Sequence, residues 1–106
     1  MRLTFAVASV AVMLASTTGW AADAAAGKTL FAAKCKTCHG ADGQGNANLA
    51  KMMKVDIKAL SAPEIQSMSD ADLKKTIKDG KGKMKPVALS DAEIDNVVAF
   101  VRTLKK

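Results

Sequence analysis

The chain's two cysteines and its single histidine stand together in the pentad Cys35-Lys36-Thr37-Cys38-His39. Two thiols three positions apart on a helical turn point to the same side, and the next residue places an imidazole beside them. A chain of 106 residues is one small domain at most, near the size at which an apolar core needs a supplement. A disulfide between these cysteines would close too short a loop to stabilise the chain much. The pentad therefore indicates that something other than a disulfide completes the core.

The order C-x-x-C-H is typical of covalent haem attachment. Each thiol can add to one vinyl group of the porphyrin, and His39 then lies under the ring with a nitrogen aimed at the iron. A thioredoxin-like redox pair would need a βαβ context, and no period-2 strand pattern occurs after the first 21 residues. A zinc site would need about four ligands, and the two cysteines and the single histidine supply three. A chance pentad in a structural loop stays open as an alternative. The sequence predicts one covalent haem c held by Cys35, Cys38 and His39.

The first 21 residues have the order of a secretory signal peptide. Arg2 gives a basic start, residues 3–15 form a mostly apolar run, and small residues lead up to Ala21. The run is shorter than the ~20 residues that cross a bilayer as a helix, although an uncleaved membrane anchor remains an alternative. We expect cleavage after Ala21, which divides the chain into a signal peptide, 1–21, and a monohaem domain, 22–106. Export of this kind predicts a periplasmic location, with no stable membrane insertion after cleavage.

The charge of the chain is strongly basic. Lysine and arginine number 16 against 10 acidic residues, and removal of Arg2 with the signal peptide leaves a net charge of +5. A basic surface favours acidic proteins, anionic membranes or nucleic acid as partners. Nucleic acid is disfavoured by export, and because Phe31 and Phe100 are the only aromatic rings after residue 21, little is present on which bases could stack.

Four segments of the chain resemble the class I c-type cytochromes, the small monohaem family of the bacterial periplasm and related compartments. Residues 27–35 resemble the family's first helix, 39–45 its glycine-bearing turn, 80–84 the loop presenting the second iron ligand, and 90–104 its closing helix. The resemblance covers the whole of the expected mature chain. It implies an all-α fold, the small cytochrome c fold, in which three to five helices wrap around one covalently bound haem.

Helix starts are marked independently of that resemblance. Three serines are each followed three residues later by an acid, which is the capping-box pattern or its shorter variant, and each is flanked by an apolar pair with staple spacing. The pairs are Ser61/Glu64, Ser69/Asp72 and Ser90/Glu93, with staples Leu60/Ile65, Met68/Leu73 and Leu89/Ile94. We expect helices to begin at these three serines, the second ending before Gly80.

The last helix has the clearest apolar face. It is formed by Ile94, Val97, Val98, Val101 and Leu104, which recur at helical spacing. Phe100 lies beside this face. The resemblance implies that its ring packs where the last helix crosses the first, near Gly27.

The second axial ligand of the iron is expected to be a methionine, because no second histidine exists. Met84 is the leading candidate, since it lies in a glycine-bearing stretch without helical periodicity and matches the family's ligand loop. Met68 has a structural explanation as a staple residue, and Met52 and Met53 are expected to line the haem pocket or its rim.

The sequence departs from the family pattern at two points. Lys85 stands where proline often follows the ligand methionine directly, and no proline follows His39 to supply a carbonyl to the imidazole. The carbonyl of Asn46 or of Ala47 could serve instead, and the sequence does not choose between them.

The function expected from these features is soluble electron transfer by a monomer, without substrate chemistry of its own. Its haem would cycle between Fe(III) and Fe(II) with His39 and Met84 as axial ligands. Lys36, Lys81, Lys83 and Lys85 would ring the haem edge and dock redox partner proteins that carry acidic surfaces. Two alternatives remain: an enzyme or gas sensor with an exchangeable sixth ligand, and a dedicated subunit of a larger oxidase or reductase.

Overall fold

The computed structural model describes residues 22–106, which form an all-α domain. The predicted signal peptide, 1–21, lies outside the described residues. The helices are α1 Ala24–Lys34, α2 Lys36–His39, α3 Ala47–Met53, α4 Pro63–Gln66, α5 Asp70–Asp79 and α6 Asp91–Thr103. The described range has six helices where three to five were expected, because α2 and α4 are single turns of four residues. No strand occurs between residues 22 and 106, and no helix there is long and apolar enough to cross a membrane.

The first and last helices form the centre of the core. Gly27 lies so close to α6 that a Cβ built on it would stand 1.8 Å from the Asn96 carbonyl oxygen, so only glycine fits this crossing. Phe31, one turn further along α1, packs on Phe100 with ring centroids 5.1 Å apart. Both rings are buried, at 2% and 7% exposure. The predicted helix crossing is confirmed, with Phe100 lying beyond Gly27 and facing Phe31.

The predicted apolar face of α6 is buried as expected. Ile94 and Val97 are fully buried, Val98 and Val101 are buried beside them, and Leu104 packs against the cluster from the end of the helix. From α5, the core receives Leu73 and Ile77. Burying such branched side chains is worth about 1.5–3 kcal/mol each relative to leaving them in water.

Two of the three predicted helix caps are confirmed. The Ser90 hydroxyl accepts from the Glu93 amide at 3.2 Å while the Glu93 carboxylate accepts from the Ser90 amide at 3.0 Å, a complete capping box. The Ser69 hydroxyl accepts from the Asp72 amide at 3.1 Å and begins α5. At the far end, Gly80 caps α5 as expected, with its amide bound to the Thr76 carbonyl.

The prediction that Ser61 begins a helix is wrong. The N-cap of α4 is Ala62, and no side chain caps this turn. Proline at position 63 explains the shift, because the residue before a proline is pushed out of the helical region, and Ala62 is accordingly extended at φ −65°, ψ 146°. Ser61 as N-cap would require a helical Ala62.

The segment before α5 is fastened to the last helix by Arg102. Its guanidinium donates to the Gln66 and Met68 carbonyls, at 2.8 and 2.6 Å, and to the Asp70 carboxylate at 2.8 Å. The side-chain amide nitrogen of Gln66, Nε2, in turn donates to the carbonyls of Leu60 and Val101. These side-chain bonds hold residues 60–70 against α6.

Candidate functional site

The pentad lies on a helical turn that continues directly from α1. Cys35 is at once the last cap of α1 and the residue before α2, and its amide bonds the Phe31 carbonyl at 2.8 Å. The His39 amide bonds the Cys35 carbonyl at 3.0 Å, so the i to i−4 pattern runs through the pentad. The predicted helical turn is therefore present, and it places the two cysteines and the histidine on the element that is fixed most firmly to α6.

The turn after the pentad folds back and fixes its backbone. The Gly45 amide bonds the His39 carbonyl at 2.6 Å, and the Asn46 amide bonds the Cys38 carbonyl at 2.9 Å. The Asn46 side chain donates to the Thr37 carbonyl at 3.0 Å and accepts from the Leu49 amide at 3.2 Å, which caps α3. Sequence reasoning considered Asn46 only for its carbonyl. Its position one residue before a helix is a cap signal that could have revealed this second role.

The imidazole of His39 is half-buried against the core. Its ring centroid lies 6.3 Å from that of Phe31. Burial lowers the pKa of His39 below its ordinary value, because a charged ring is poorly solvated there. The ring is therefore neutral near pH 7, the form in which imidazole binds metals.

One ring nitrogen of His39 has no partner. Among the described residues, Nδ1 is buried and makes no hydrogen bond. Neither the Asn46 nor the Ala47 carbonyl, the two alternatives that the sequence offers, bonds this nitrogen, and the Asn46 carbonyl accepts from the Ala50 amide at 2.9 Å. A buried nitrogen without a hydrogen bond is uncommon in folded proteins, so the expected support of the imidazole by a protein carbonyl is missing here.

The two thiols have different surroundings. Both cysteines are free; Cys35 is buried at 8% exposure, whereas Cys38 is exposed. Burial, and then the neighbouring Cys38, raise the pKa of the Cys35 thiol. The two thiols therefore differ in burial although they lie on one helical turn, with His39 directly after them.

Met84 closes a tight turn after α5. The amide of Lys81 bonds the Met84 carbonyl at 3.0 Å, and the Met84 amide bonds the Lys81 carbonyl at 2.9 Å. Gly80 lies under this turn, where an added Cβ would stand 2.5 Å from the Met84 carbonyl oxygen. The Met84 side chain is half-buried and packs against the core cluster that contains Phe31 and Cys35.

The other candidate methionines differ from Met84 in their surroundings. Met68 packs against the core from the segment that Arg102 holds. Met52 is 81% exposed, which fits a position on a rim and not inside a pocket. Met53 is half-buried at the end of α3.

The non-haem alternatives find no support in residues 22–106. No group of three or more histidine, cysteine or acidic side chains in this range could hold a metal ion, which argues against a zinc site. The βαβ setting of a thioredoxin-like pair is missing from the same range, which has no strand.

The residues present fit a haem. Two free thiols stand on one helical turn, a half-buried neutral imidazole follows them directly, and a thioether is available from the turn after α5. Thiol, imidazole and thioether are the side chains that c-type haems use. The predicted docking lysines, Lys36, Lys81, Lys83 and Lys85, are all exposed.

Comparison with known proteins gives a consistent family. The family model described as cytochrome c matches residues 24–105. Cytochrome c-554(547) of Halothiobacillus neapolitanus is 35% identical over 92 residues, covering 80% of this chain and 100% of the relative. Cytochrome c-555 of Chlorobaculum tepidum is 36% identical over 98 residues, covering 86% and 85%.

A more distant relative and a solved structure agree with these matches. Cytochrome c6 of Cyanidioschyzon merolae is 34% identical over 83 residues, covering 77% of this chain and 75% of its own. The solved structure of the KustC0563 c-type cytochrome superposes with a TM-score of 0.66 at 31% identity, covering 76% of this chain and 98% of its own.

Proposed function

Because this chain belongs to the cytochrome c family, as a class I monohaem member with one covalently attached haem c, we propose that it is an exported electron carrier with His39 and Met84 as axial ligands. The electron-transfer role follows from the family. The residues that attach and ligate the haem, the location and the partners are the proposal. The observation that carries it is the pentad on a helical turn, with two free thiols and a half-buried, neutral imidazole directly after them.

Cys35 and Cys38 are the attachment residues in this proposal. Each S–H would add across one vinyl double bond of the porphyrin, so that the sulfur would bond one vinyl carbon and the hydrogen would go to the other, with no oxidant required. The burial of Cys35 and the exposure of Cys38 fit thiols at the inner and outer sides of one ring. The bonds from Gly45 and Asn46 keep the pentad in its helical form during and after attachment.

The bound haem supplies one-electron chemistry by cycling its iron between Fe(III) and Fe(II). His39 offers a neutral imidazole held by Phe31, and Met84 offers a soft thioether that favours ferrous iron and raises the reduction potential. The half-buried packing of Met84 against the core supports it over Met52, which is 81% exposed. With both axial positions filled, the iron would stay closed to exogenous ligands.

The lysines near the predicted haem edge are proposed to dock acidic redox partners. Lys36, Lys81 and Lys85 are exposed, and the structure gives them no ion pair with a described residue. Their charges are therefore available for steering a partner, an effect that salt screens. We expect the oxidation rate of the ferrous protein by the anion ferricyanide to fall as ionic strength rises, and replacement of Lys81 and Lys85 by glutamine to flatten that dependence. A rate independent of salt would contradict the docking surface.

The location and domain division are proposed from the first 21 residues. Their signal-peptide order supports export to the periplasm and a mature domain, 22–106, which we propose to be a monomer. The intact mass of protein purified from its host should correspond to a chain that begins at Ala22 or a close neighbour. A mass that retains Met1 to Ala21 would contradict cleavage.

Haem retention and carbon monoxide binding test the proposal together. Acid–acetone extraction should leave the haem on the native chain, whereas Cys35→Ala and Cys38→Ala should each weaken that retention. Carbon monoxide should leave the spectrum of the reduced native protein unchanged, because the sixth position is closed. Release of all haem from the native chain would refute covalent attachment, and rapid carbon monoxide binding would refute a closed iron.

A further inference from the structure

The turn that carries Met84 has an exposed lysine at its tip. Lys81 and Met84 exchange backbone hydrogen bonds, which leaves Gly82 and Lys83 as its two central residues. Gly82 has φ 57°, and a positive φ at the first central position is the type II′ pattern for which glycine is preferred. The turn is thus locally defined, but its backbone bonds do not join it to the rest of the molecule.

A side-chain contact makes that connection. The ammonium of Lys83 donates a hydrogen bond to the carbonyl of Met53, thirty residues earlier in the chain. Met53 is the last residue of α3, and Lys54 follows it in the left-handed conformation with φ 53°. Lys83 therefore connects the turn to the end of a helix that itself begins beside the pentad, at Asn46.

The end of α3 is a favourable place for this ammonium. The Lys54 amide bonds the carbonyls of Ala50 and Lys51, and the Val55 amide also bonds that of Ala50, so neither amide serves Met53. The last carbonyls of a helix lack backbone donors and carry the negative end of its dipole. A positive donor at this carbonyl is charge-assisted, which makes it stronger than a neutral hydrogen bond.

We infer that Lys83 is a positioning residue for Met84, because its hydrogen bond to the Met53 carbonyl ties the methionine-bearing turn to the end of α3. The inference rests on the proposed ligation by Met84. Displacement of the thioether requires the turn to move, and the tie opposes that movement at the tip, while the packing of Gly80 against the Met84 carbonyl restrains its base. Lys81 and Lys85 flank the same turn but have no such bond in the described residues.

Two matched variants separate this tie from a general effect of charge. Lys83→Met removes the donor and keeps the aliphatic stem, and Lys85→Met makes the same charge change two residues away. Imidazole binding to the ferric holoprotein measures how readily the sixth ligand is displaced. We expect Lys83→Met to bind imidazole roughly 2- to 10-fold more tightly than the native protein, the range expected for one net hydrogen bond, and Lys85→Met less than about 2-fold. Lys83→Arg keeps a donor and should restore the native affinity.

Amide hydrogen exchange supplies a second measurement that does not involve the iron. Loss of the tie should free the end of α3, so the amides of Lys54 and Val55 should exchange faster in Lys83→Met and at the native rate in Lys85→Met. Equal exchange rates of these amides in the two variants would contradict the hydrogen bond from Lys83 to the Met53 carbonyl. Faster exchange with unchanged imidazole affinity would mean that the contact exists without positioning Met84, and would overturn the inference.

The failure of Met84 as ligand would give a different result. In that case Met84→Ala would retain the methionine–iron charge-transfer band of the ferric native protein, while the exchange difference at Lys54 and Val55 could persist. If Met84→Ala loses the band while Lys83→Met and Lys85→Met have the same imidazole affinity and amide exchange, Met84 is the ligand but Lys83 does not position it.

Discussion

The two proposed axial ligands are held by regions of very different construction. His39 follows α1, which crosses α6 so closely that Gly27 leaves no room for a Cβ, and its ring lies against the buried Phe31. Met84 lies in a turn closed by two backbone bonds and tied elsewhere through one exposed lysine. The histidine is held by the packing of two helices. The methionine is held by the two bonds of its turn, by the Lys83 contact and by its half-buried side chain. An iron held between them would keep its histidine and exchange its methionine first.

The largest effect should come from the helix crossing on the histidine side. Phe100→Ala should lower the free energy of unfolding of the holoprotein by about 3–5 kcal/mol, because it empties a buried site against Phe31. That is much of the stability of a small domain. Urea unfolding followed by circular dichroism measures the change.

Met52→Ala, at an exposed position in α3, is the control for this variant. Its side chain is 81% exposed, so the substitution should change the free energy of unfolding by less than about 0.5 kcal/mol. Similar losses for the two variants would contradict the claim that the helix crossing on the histidine side is tightly packed.

A smaller effect is expected where the pentad meets α3. Asn46→Ala removes the cap of α3 and the bond to the Thr37 carbonyl, and should cost about 1–2 kcal/mol of unfolding free energy. Asn48→Ala, within the same helix, serves as control because Asn48 is exposed and its side chain makes no hydrogen bond to any of residues 22–106. Chemical denaturation measures the free energy of unfolding of both variants. Equal values would contradict the claim that the Asn46 side chain stabilises the pentad and α3.

The smallest effect concerns the acid dependence of α6. Hydrogen bonds from the Ser90 amide, and then from its hydroxyl, lower the pKa of Glu93 below its ordinary value of 4.5. Its carboxylate therefore contributes stability above that value, and the contribution is lost as pH falls through the lower folded-state pKa. Glu93→Gln should flatten the fall in stability between about pH 5 and about pH 3. If the unfolding free energy of the native protein and of Glu93→Gln falls equally with decreasing pH, titration of Glu93 does not contribute to the acid dependence of stability.

The two regions also differ in what could be predicted from sequence. Features whose sequence signals lie within a few helical turns were predictable. They are the pentad, the caps at Ser69 and Ser90, and the apolar face of α6. The prediction for Ser61 is wrong for an equally local reason, the effect of Pro63 on the residue before it.

Contacts between distant segments could not be predicted. The bonds from Arg102 to Gln66 and Met68, and from Lys83 to Met53, join residues thirty or more positions apart. Nothing in the spacing of a lysine or an arginine indicates which carbonyl it will reach after folding. The burial of Met84 against the core likewise depends on where the turn after α5 is placed by tertiary packing.

The most direct test of the account is the ferric absorption spectrum of Met84→Ala beside that of Met68→Ala. Both methionines are half-buried against the same core, so the two variants remove a similar side chain from similar surroundings. The account predicts that the methionine–iron charge-transfer band of the native protein is absent from Met84→Ala and kept in Met68→Ala, and that reduced Met84→Ala binds carbon monoxide. A band that survives in Met84→Ala and disappears in Met68→Ala would contradict the central claim that the turn after α5 supplies the sixth ligand of an electron-transfer haem.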